Sequence, residues 1–379
     1  MNYIKKSIKI IKSTQLKNGG ILATLPKGGY PYVYTRDGVI ATKALNVTGN
    51  WKNSEKFYYF MKKFTKIKQY GEVFQRYNVN GWPAVSRKNQ NDNEGLLLHG
   101  IYHTYQHNKN QEFLEDMWQM IQNTVKLLFS YSKSGLIHTQ RSIHEFYRLE
   151  HGYEIWSNSA AVRGLKDASQ IAKILNHKKE SEKWDEKANI ILKNIKRKMF
   201  NKKLGIYIKN TRYPKISDMS QLAPFYFEID NSKKILRNTM NHLRKNLWEN
   251  KLGGFRRFKK FDICNDWHWY TGGSGSWCFL TAWAARFYKK LGDKKNYQLC
   301  SSWLDKVIKT GKGNLPEHIA TIEEYNEWKK NEIEFNNRII NETKIAEDNI
   351  KKFKEHSIVY WANPLCWSHA EYVLLHKEK

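Results

Sequence analysis

Residues 313–321 read GNLPEHIAT, and residues 360–375 read YWANPLCWSHAEYVLL. Glu317 stands straight after Leu315-Pro316. Loop glutamates are mostly solvated, but here a Gly-Asn-Leu-Pro turn fixes the backbone that enters the carboxylate. The question is whether Glu317 is half of a working carboxylate pair, and where the other half lies.

The surrounding sequence reads as helix. Apolar residues recur at helical spacing in AVRGLKDASQIAKIL (161–175), WCFLTAWAARFYKKLG (277–292) and NPLCWSHAEYVLLH (363–376). Trp277–Tyr288 is apolar on more than one face, which argues for burial. Strand-like alternation is scarce. Loops rich in Gly, Asn, Pro and aromatics separate the helices at 28–38, 78–95, 262–276 and 311–317. Units of one helix and one loop, about 30 residues each, fit about twelve times into 379 residues. Twelve helices in two concentric layers make an α/α toroid, with its loops gathered at one end. The segment 321–354 differs: it is dense in charge around Tyr325, Trp328, Ile333 and Ile339. A solvated amphipathic helix, or two, is expected there, with capping of a substrate site as the alternative.

The net charge is +29, hydrophobic residues are 40%, and the chain carries 14 Trp and 22 Tyr. That is a globular composition rich in flat faces suited to sugars, bases or partner surfaces. Lys, Asn and Ile are abundant throughout, without a tight basic block interleaved with aromatics, so no nucleic-acid partner is expected. Non-specific nucleic-acid binding would instead show a steep salt dependence. Cysteines 264, 278, 300 and 366 have neither CxxC nor zinc spacing and read as buried free thiols. His144, His151, His268 and His318 form no HxH or HExxH pattern, so no metal and no cofactor is expected. The GSGSW stretch lacks both the nucleophile elbow and the phosphate-loop lysine. The N-terminus lacks the apolar core of a signal peptide, and no window is long and apolar enough to span a membrane. A soluble cytoplasmic protein is expected; the oligomeric state leaves no mark in the sequence.

Asn314-Leu-Pro-Glu317, followed by Pro364-Leu-x-Trp-Ser-His-Ala-Glu-Tyr372, resembles the glucoamylase family, glycoside hydrolase family 15. Other stretches resemble that family in the same order. They are Gln15–Ala23; the aromatic–Arg–Asp run Gly29–Asp37; the Gln90–Asp92 loop with Trp82 upstream; Gly253–Arg257; and Tyr270–Trp277. The resemblance implies an all-α (α/α)6 barrel, a six-hairpin toroid, as a single catalytic domain over 1–379 with a charged helical insert at about 321–358. It implies an inverting exo-acting hydrolase that releases glucose from non-reducing ends of α-glucans or α-gluco-oligosaccharides. The same scaffold acting on trehalose or α-1,6-linked glucan, or a non-catalytic carbohydrate-binding or regulatory protein, are the alternatives.

In this resemblance Glu317 is the general base. The substrate contacts fall on Tyr32, Arg36, Asp37, Trp82, Gln90, Asp92, Glu154, Arg256, Arg257, Tyr270 and Trp277. These residue types suit a sugar ligand, since indole and phenol rings stack on a pyranose face and charged groups bond its hydroxyls strongly. Asp37 also reads as a helix cap. The stretch HEFYRLEHGYEIWSNSAAVRGL (144–165) resembles the family's acid-bearing segment at Gly152-Tyr153 and Ala160–Leu165. Leu149 stands where a Trp is usual, and only one Glu follows, which is what motivates the non-catalytic alternative. Glu150 is the expected general acid, with Glu145 as its rival. Glu154 comes third, reading also as a cap or a substrate contact. An inverting pair stands about 6.5–9.5 Å apart.

Overall fold

The computed structural model describes residues 2–65, 73–84, 90–261, 269–335, 345 and 347–378, with only the backbone of 270, 271 and 331–335. Cys264, His268 and the 336–344 stretch of the charged segment lie outside the described residues. In chain order the main helices are α1 (Tyr3–Ser13), α2 (Thr35–Val47), α3 (Trp51–Phe64), α4 (Asn93–Asn108), α5 (Gln111–Ser130), α6 (Ile155–Ile174) and α7 (Lys178–Lys198). They continue as α8 (Ala223–Tyr226), α9 (Lys233–Leu247), α10 (Cys278–Leu291), α11 (Lys294–Thr310), α12 (Ile322–Phe335) and α13 (Cys366–Lys377).

Two layers follow from which helices are buried all round. α2 is buried from Thr35 to Asn46, and α13 from Cys366 to Leu375. α9 instead buries Leu236, Thr239, Met240, Leu243 and Leu247, the three-to-four spacing of a one-sided helix. α2 packs on α4, α4 on α6, α6 on α8, α10 on α13, and α13 on α2. Tyr226 of α8 meets Trp283 of α10 with ring centroids 4.6 Å apart. Outside them, α1 packs on α13, α3 on α2, α5 on α4, α7 on α6, and both α9 and α11 on α10. This alternation of inner and outer helices is the (α/α)6 toroid.

The inner layer is tight enough to need glycine. A Cβ on Gly95 of α4 would lie 2.4 Å from the Ala160 carbonyl of α6, and one on Gly164 of α6 would lie 2.5 Å from the Gly95 carbonyl oxygen. The two backbones touch, with no side chain between them.

The charged segment departs from expectation. Its first part is helix α12, but Ile350–Phe353 and His356–Trp361 are strands, so the helical insert does not run to 358. The run Ile-Val-Tyr-Trp at 358–361 is β-branched and aromatic, which suits a pleated surface better than a helix. With β1 (Ser276–Trp277), β2 (His318–Thr321), β3 (Ile350–Phe353) and β4 (His356–Trp361), the order is β1-β2-β4-β3, all antiparallel. In this register His318 faces Trp277 on one side and Trp361 on the other.

Gly164→Ala is the sharpest test of the α4–α6 contact. Helix propensity alone predicts a gain of about 1 kcal/mol; the backbone clash predicts a loss of about 1–3 kcal/mol. Urea unfolding decides by the sign of the change, and a gain would mean the helices have room.

Candidate active site

The segments that enter the inner helices carry the polar residues, and they surround a cavity of about 600 Å³. Arg36 and Asp37 lie in the first turn of α2; Glu145, Arg257, Trp277 and Glu317 come from the segments before α6, α10 and α13. Carboxylates are favoured at helix N-termini by the aligned peptide dipoles.

The Asn314–Glu317 turn is held from behind by α13. Ser368 Oγ donates to the Pro316 carbonyl at 2.7 Å, and the Leu315 N–H donates to His369 Nε2 at 3.0 Å. His369 Nε2 therefore accepts, and its Nδ1 side meets Ser7 Oγ of α1 at 2.9 Å. Burial holds that imidazole neutral, down to about 3. The Glu317 N–H donates to the Trp361 carbonyl at 2.9 Å, and its own carbonyl accepts from the Cys278 N–H at 3.0 Å. The backbone of Glu317 is thus pinned between β4 and the start of α10. Burial, reinforced by Asp37 and Glu145 against the pull of Arg257, pushes its carboxyl up to about 8.

One wall of the cavity is a stack. Trp277 and His318 lie 4.4 Å apart at 21°, His318 and Trp361 5.7 Å apart at 19°, and the Arg257 guanidinium sits 4.6 Å from the Trp277 ring centre. Burial and Arg257 hold His318 down to about 3, so a neutral imidazole lies between the indoles. Trp328 of α12 meets Trp361 edge-on at 4.3 Å and also lines the cavity. Helix α12 therefore reaches the site through one indole.

Arg36 organises a second group of lining residues. Its Nη1 donates to Asp92 at 2.8 Å, its Nη2 to Glu145 at 3.2 Å, and its guanidinium lies 5.5 Å from the Trp367 ring centre. Burial works against its charge, but Asp92, Glu145 and Asp37 outweigh it. Burial pushes Asp37 up to about 7 despite Arg36. Glu145 goes the other way: burial would raise it, but Arg36 and the side chains of Gln75 and Gln90 hold it below the ordinary carboxylate range.

The three candidate acids separate by position. Glu145 lines the cavity on a left-handed backbone, φ 59°. Glu150, the first choice from sequence, does not line it. Its side chain is fully buried and accepts from the N–H groups of Ser142 (2.8 Å), His144 (2.7 Å) and Phe146 (3.2 Å). It holds the loop that presents Glu145. Glu154 caps α6, accepting from Trp156 and Ser157 at 2.7 and 2.6 Å. Buried Lys209 serves both, 3.8 Å from Glu150 and 3.4 Å from Glu154. Burial pushes Glu150 up, while Asp218, Glu154 and Glu150 together keep Lys209 charged. His144 adds a 2.6 Å bond to Asp218, and Arg257 donates to the Ile143 carbonyl.

The other expected contacts divide likewise. Arg36, Asp37, Arg257 and Trp277 line the cavity. Asp92 lies behind Arg36, where it also takes the Trp156 indole N–H at 2.9 Å, and Gln90 is buried beside Glu145. Arg256 turns to Glu249 and over Trp269 instead of the cavity. Tyr32 lies under Arg76, and Trp82 is 56% exposed on the Asn78 turn, outside the lining. The Tyr270 side chain lies outside the described residues. Sequence reasoning missed Tyr30, Tyr34, Arg76, Arg141, Tyr147 and Arg148, which also line the cavity, together with Trp328, Trp361 and Trp367. The motif YPYVY announced aromatics at 30–34 but not which of them face inward.

The class that combines such a toroid with a carboxylate cavity at one end is the six-hairpin glycosidases. The family described as glycosyl hydrolases family 15 matches residues 1–376, and the chain belongs to it. It is 25% identical over 281 residues to the "Uncharacterized glycosyl hydrolase MJ1610" of Methanocaldococcus jannaschii, covering 73% of this chain and 43% of that relative's length. Among solved structures, a bacterial glucoamylase complexed with acarbose matches 99% of this chain and 55% of its own, at 18% identity and TM-score 0.73. A wild-type glycosidase matches 98% and 95%, at 18% identity and TM-score 0.69. At these identities the solved structures carry the fold.

Removing the Glu150 carboxylate strands three buried N–H groups and unbalances Lys209. Glu150→Ala is expected to cost about 3–5 kcal/mol, whereas Glu145→Gln, which keeps an amide oxygen for Arg36 while Asp92 still matches its charge, should cost less, about 1–2 kcal/mol. Urea unfolding of both variants reads the difference; equal stability would mean that Glu150 does not hold the loop.

Proposed function

We propose that this chain hydrolyses α-linked glucosides from the non-reducing end with inversion, with Glu145 as general acid and Glu317 as general base. The observation that carries this reading is that, of the four glutamates in question, Glu145 and Glu317 line the cavity while Glu150 and Glu154 are locked to backbone behind it. Glu317 takes a proton from the water that attacks the anomeric carbon. Glu145 gives its proton to the glycosidic oxygen as the old C–O bond breaks. Arg36, Asp37 and Arg257 hold the terminal sugar by charged hydrogen bonds, and the Trp277–Trp361 wall supplies its apolar contact. That Glu145 lines the cavity supports the catalytic reading over the non-catalytic alternative, which rested on a weak acid segment.

The reaction needs one proton on the pair. In the empty cavity the surrounding charges favour that proton on Glu317, because Arg36 stabilises ionised Glu145. The reactive arrangement, with the proton on Glu145, has the same total charge. Both arrangements therefore share one pH dependence, and the pH profile reports the pair without dividing the roles.

The test is proton NMR of maltotetraose with the purified chain, repeated with Glu145→Ala on α-glucosyl fluoride. Early β-glucose beside maltotriose, and a variant that still cleaves the fluoride while losing maltotetraose, are expected. Early α-glucose would overturn inversion, and loss of both substrates alike would remove Glu145 from the acid role.

A bell-shaped kcat/KM profile is also expected. Activity falls on the acid side as Glu145, held low, gains the second proton, and falls again as pH rises through about 8 and the last proton leaves Glu317. A basic limb below pH 6 would detach Glu317 from the pair.

A further inference from the structure

The cavity holds more positive charge than its proposed chemistry uses. Its lining carboxyls among the described residues are Asp37, Glu145 and Glu317, set against the guanidinium groups of Arg36, Arg76, Arg141, Arg148 and Arg257. Arg36 pairs with Glu145 and Asp92, and Arg257 lies in the field of Glu317. The other three have no carboxylate within 4.0 Å among the described residues. Arg76 donates to the Tyr34 hydroxyl at 2.8 Å and lies 4.5 Å from the Tyr32 ring centre, while its Nε is buried with no hydrogen-bond partner among the described residues. Arg141 lies 5.6 Å from the Tyr147 ring centre, and Arg148 follows Tyr147 in the short helical turn Tyr147–Glu150.

Depth orders these groups. Arg36, Asp37 and Arg257 are buried, whereas Tyr147 is 44% exposed and Arg148 is exposed beside it. Tyr147 and Arg148 thus stand toward solvent in the cavity that Glu317 and Glu145 also line, with Arg141 intermediate in exposure. Arg76 stands at the tyrosine wall beside Arg36's carboxylate partner, Glu145.

We propose that the leaving-group end of the substrate carries an anion, a carboxylate or a phosphate, received by Arg141 and Arg148 with Arg76 behind them. Guanidinium forks match both anions in geometry, and stacking on tyrosine leaves the N–H edges free to donate. This rests on the glucoside-hydrolase reading above and adds the substrate class. Two cavity carboxyls held partly protonated near neutral pH leave the cavity more positive still.

The experiment compares maltobionate with maltitol, which share a glucosyl group on an open-chain aglycone and differ by a carboxylate against a hydroxymethyl group. Maltose 1-phosphate serves as the phosphate arm. In low salt, kcat/KM for at least one anionic substrate is expected to exceed that for maltitol about tenfold or more. The gap should shrink with added salt and in Arg141→Ala/Arg148→Ala, with partial recovery in Arg141→Lys/Arg148→Lys. Whichever anion shows the larger gap identifies the source. Equal kcat/KM for all three would overturn the inference while leaving the proposed hydrolase standing. Calorimetric binding to Glu317→Gln keeps the comparison readable without turnover. Tenfold tighter binding of an anionic ligand without hydrolysis by the parent chain would support the anion site and count against the proposed reaction. Equal binding, or binding of none, would overturn the inference.

Discussion

Arg36 is the buried cation about which the cavity end of the toroid is built. It begins α2, bonds the residue that precedes α4, bonds the loop that leads to α6, and lies against an indole of α13. Four segments far apart in sequence meet on one guanidinium. A buried charge of this kind is tolerable only when it is matched by opposite charge and its hydrogen bonds are made. Asp92 supplies a fixed, fully buried match. Glu145 supplies a second, at the cavity surface. The same ion pair that anchors the loop therefore sets the proton affinity of the carboxyl proposed as the acid.

The second half of the cavity is governed by packing more than by charge. A three-strand register puts Trp277, His318 and Trp361 in one row, and the row is stiff because each ring is stacked on the next. Glu317, one residue before His318, inherits that stiffness through its backbone bonds to β4 and α10. A small sheet inside a helical fold thus gives the proposed base its position, and the segment that completes the sheet is the one whose charge made it look like plain surface helix.

How much of this was legible in the sequence varied with the kind of information required. The toroid followed from helical periodicity and from motifs in a fixed order. Arg36, Asp37, Arg257, Trp277 and Glu317 were singled out by motifs that resemble the family's, and all five line the cavity. The choice between Glu145 and Glu150 was not legible. Both sit in one irregular loop, and what separates them is three backbone N–H groups that converge on Glu150 and none of which leaves a trace in residue type. Trp82 misled because an exposed loop tryptophan and a stacking tryptophan look alike in sequence. Strand β4 could have been read from Ile-Val-Tyr-Trp, but the charges on either side outweighed it. Arg141 and Arg148 fall on none of the matched motif positions, and that they share one cavity is visible only in the fold.

The backbone at Glu145 has a consequence for how this chain can change. A non-glycine residue in the left-handed region gives up roughly 1 kcal/mol or more, and Gly or Asn would sit there more comfortably. Selection for robustness alone would drift position 145 toward those residues and would strip the cavity of the carboxyl that Arg36 holds. At position 145 the residue that suits the backbone and the residue that lines the cavity are therefore different ones. Attempts to make this protein sturdier by ideal turn chemistry would, at this position, exchange a cavity carboxyl for stability.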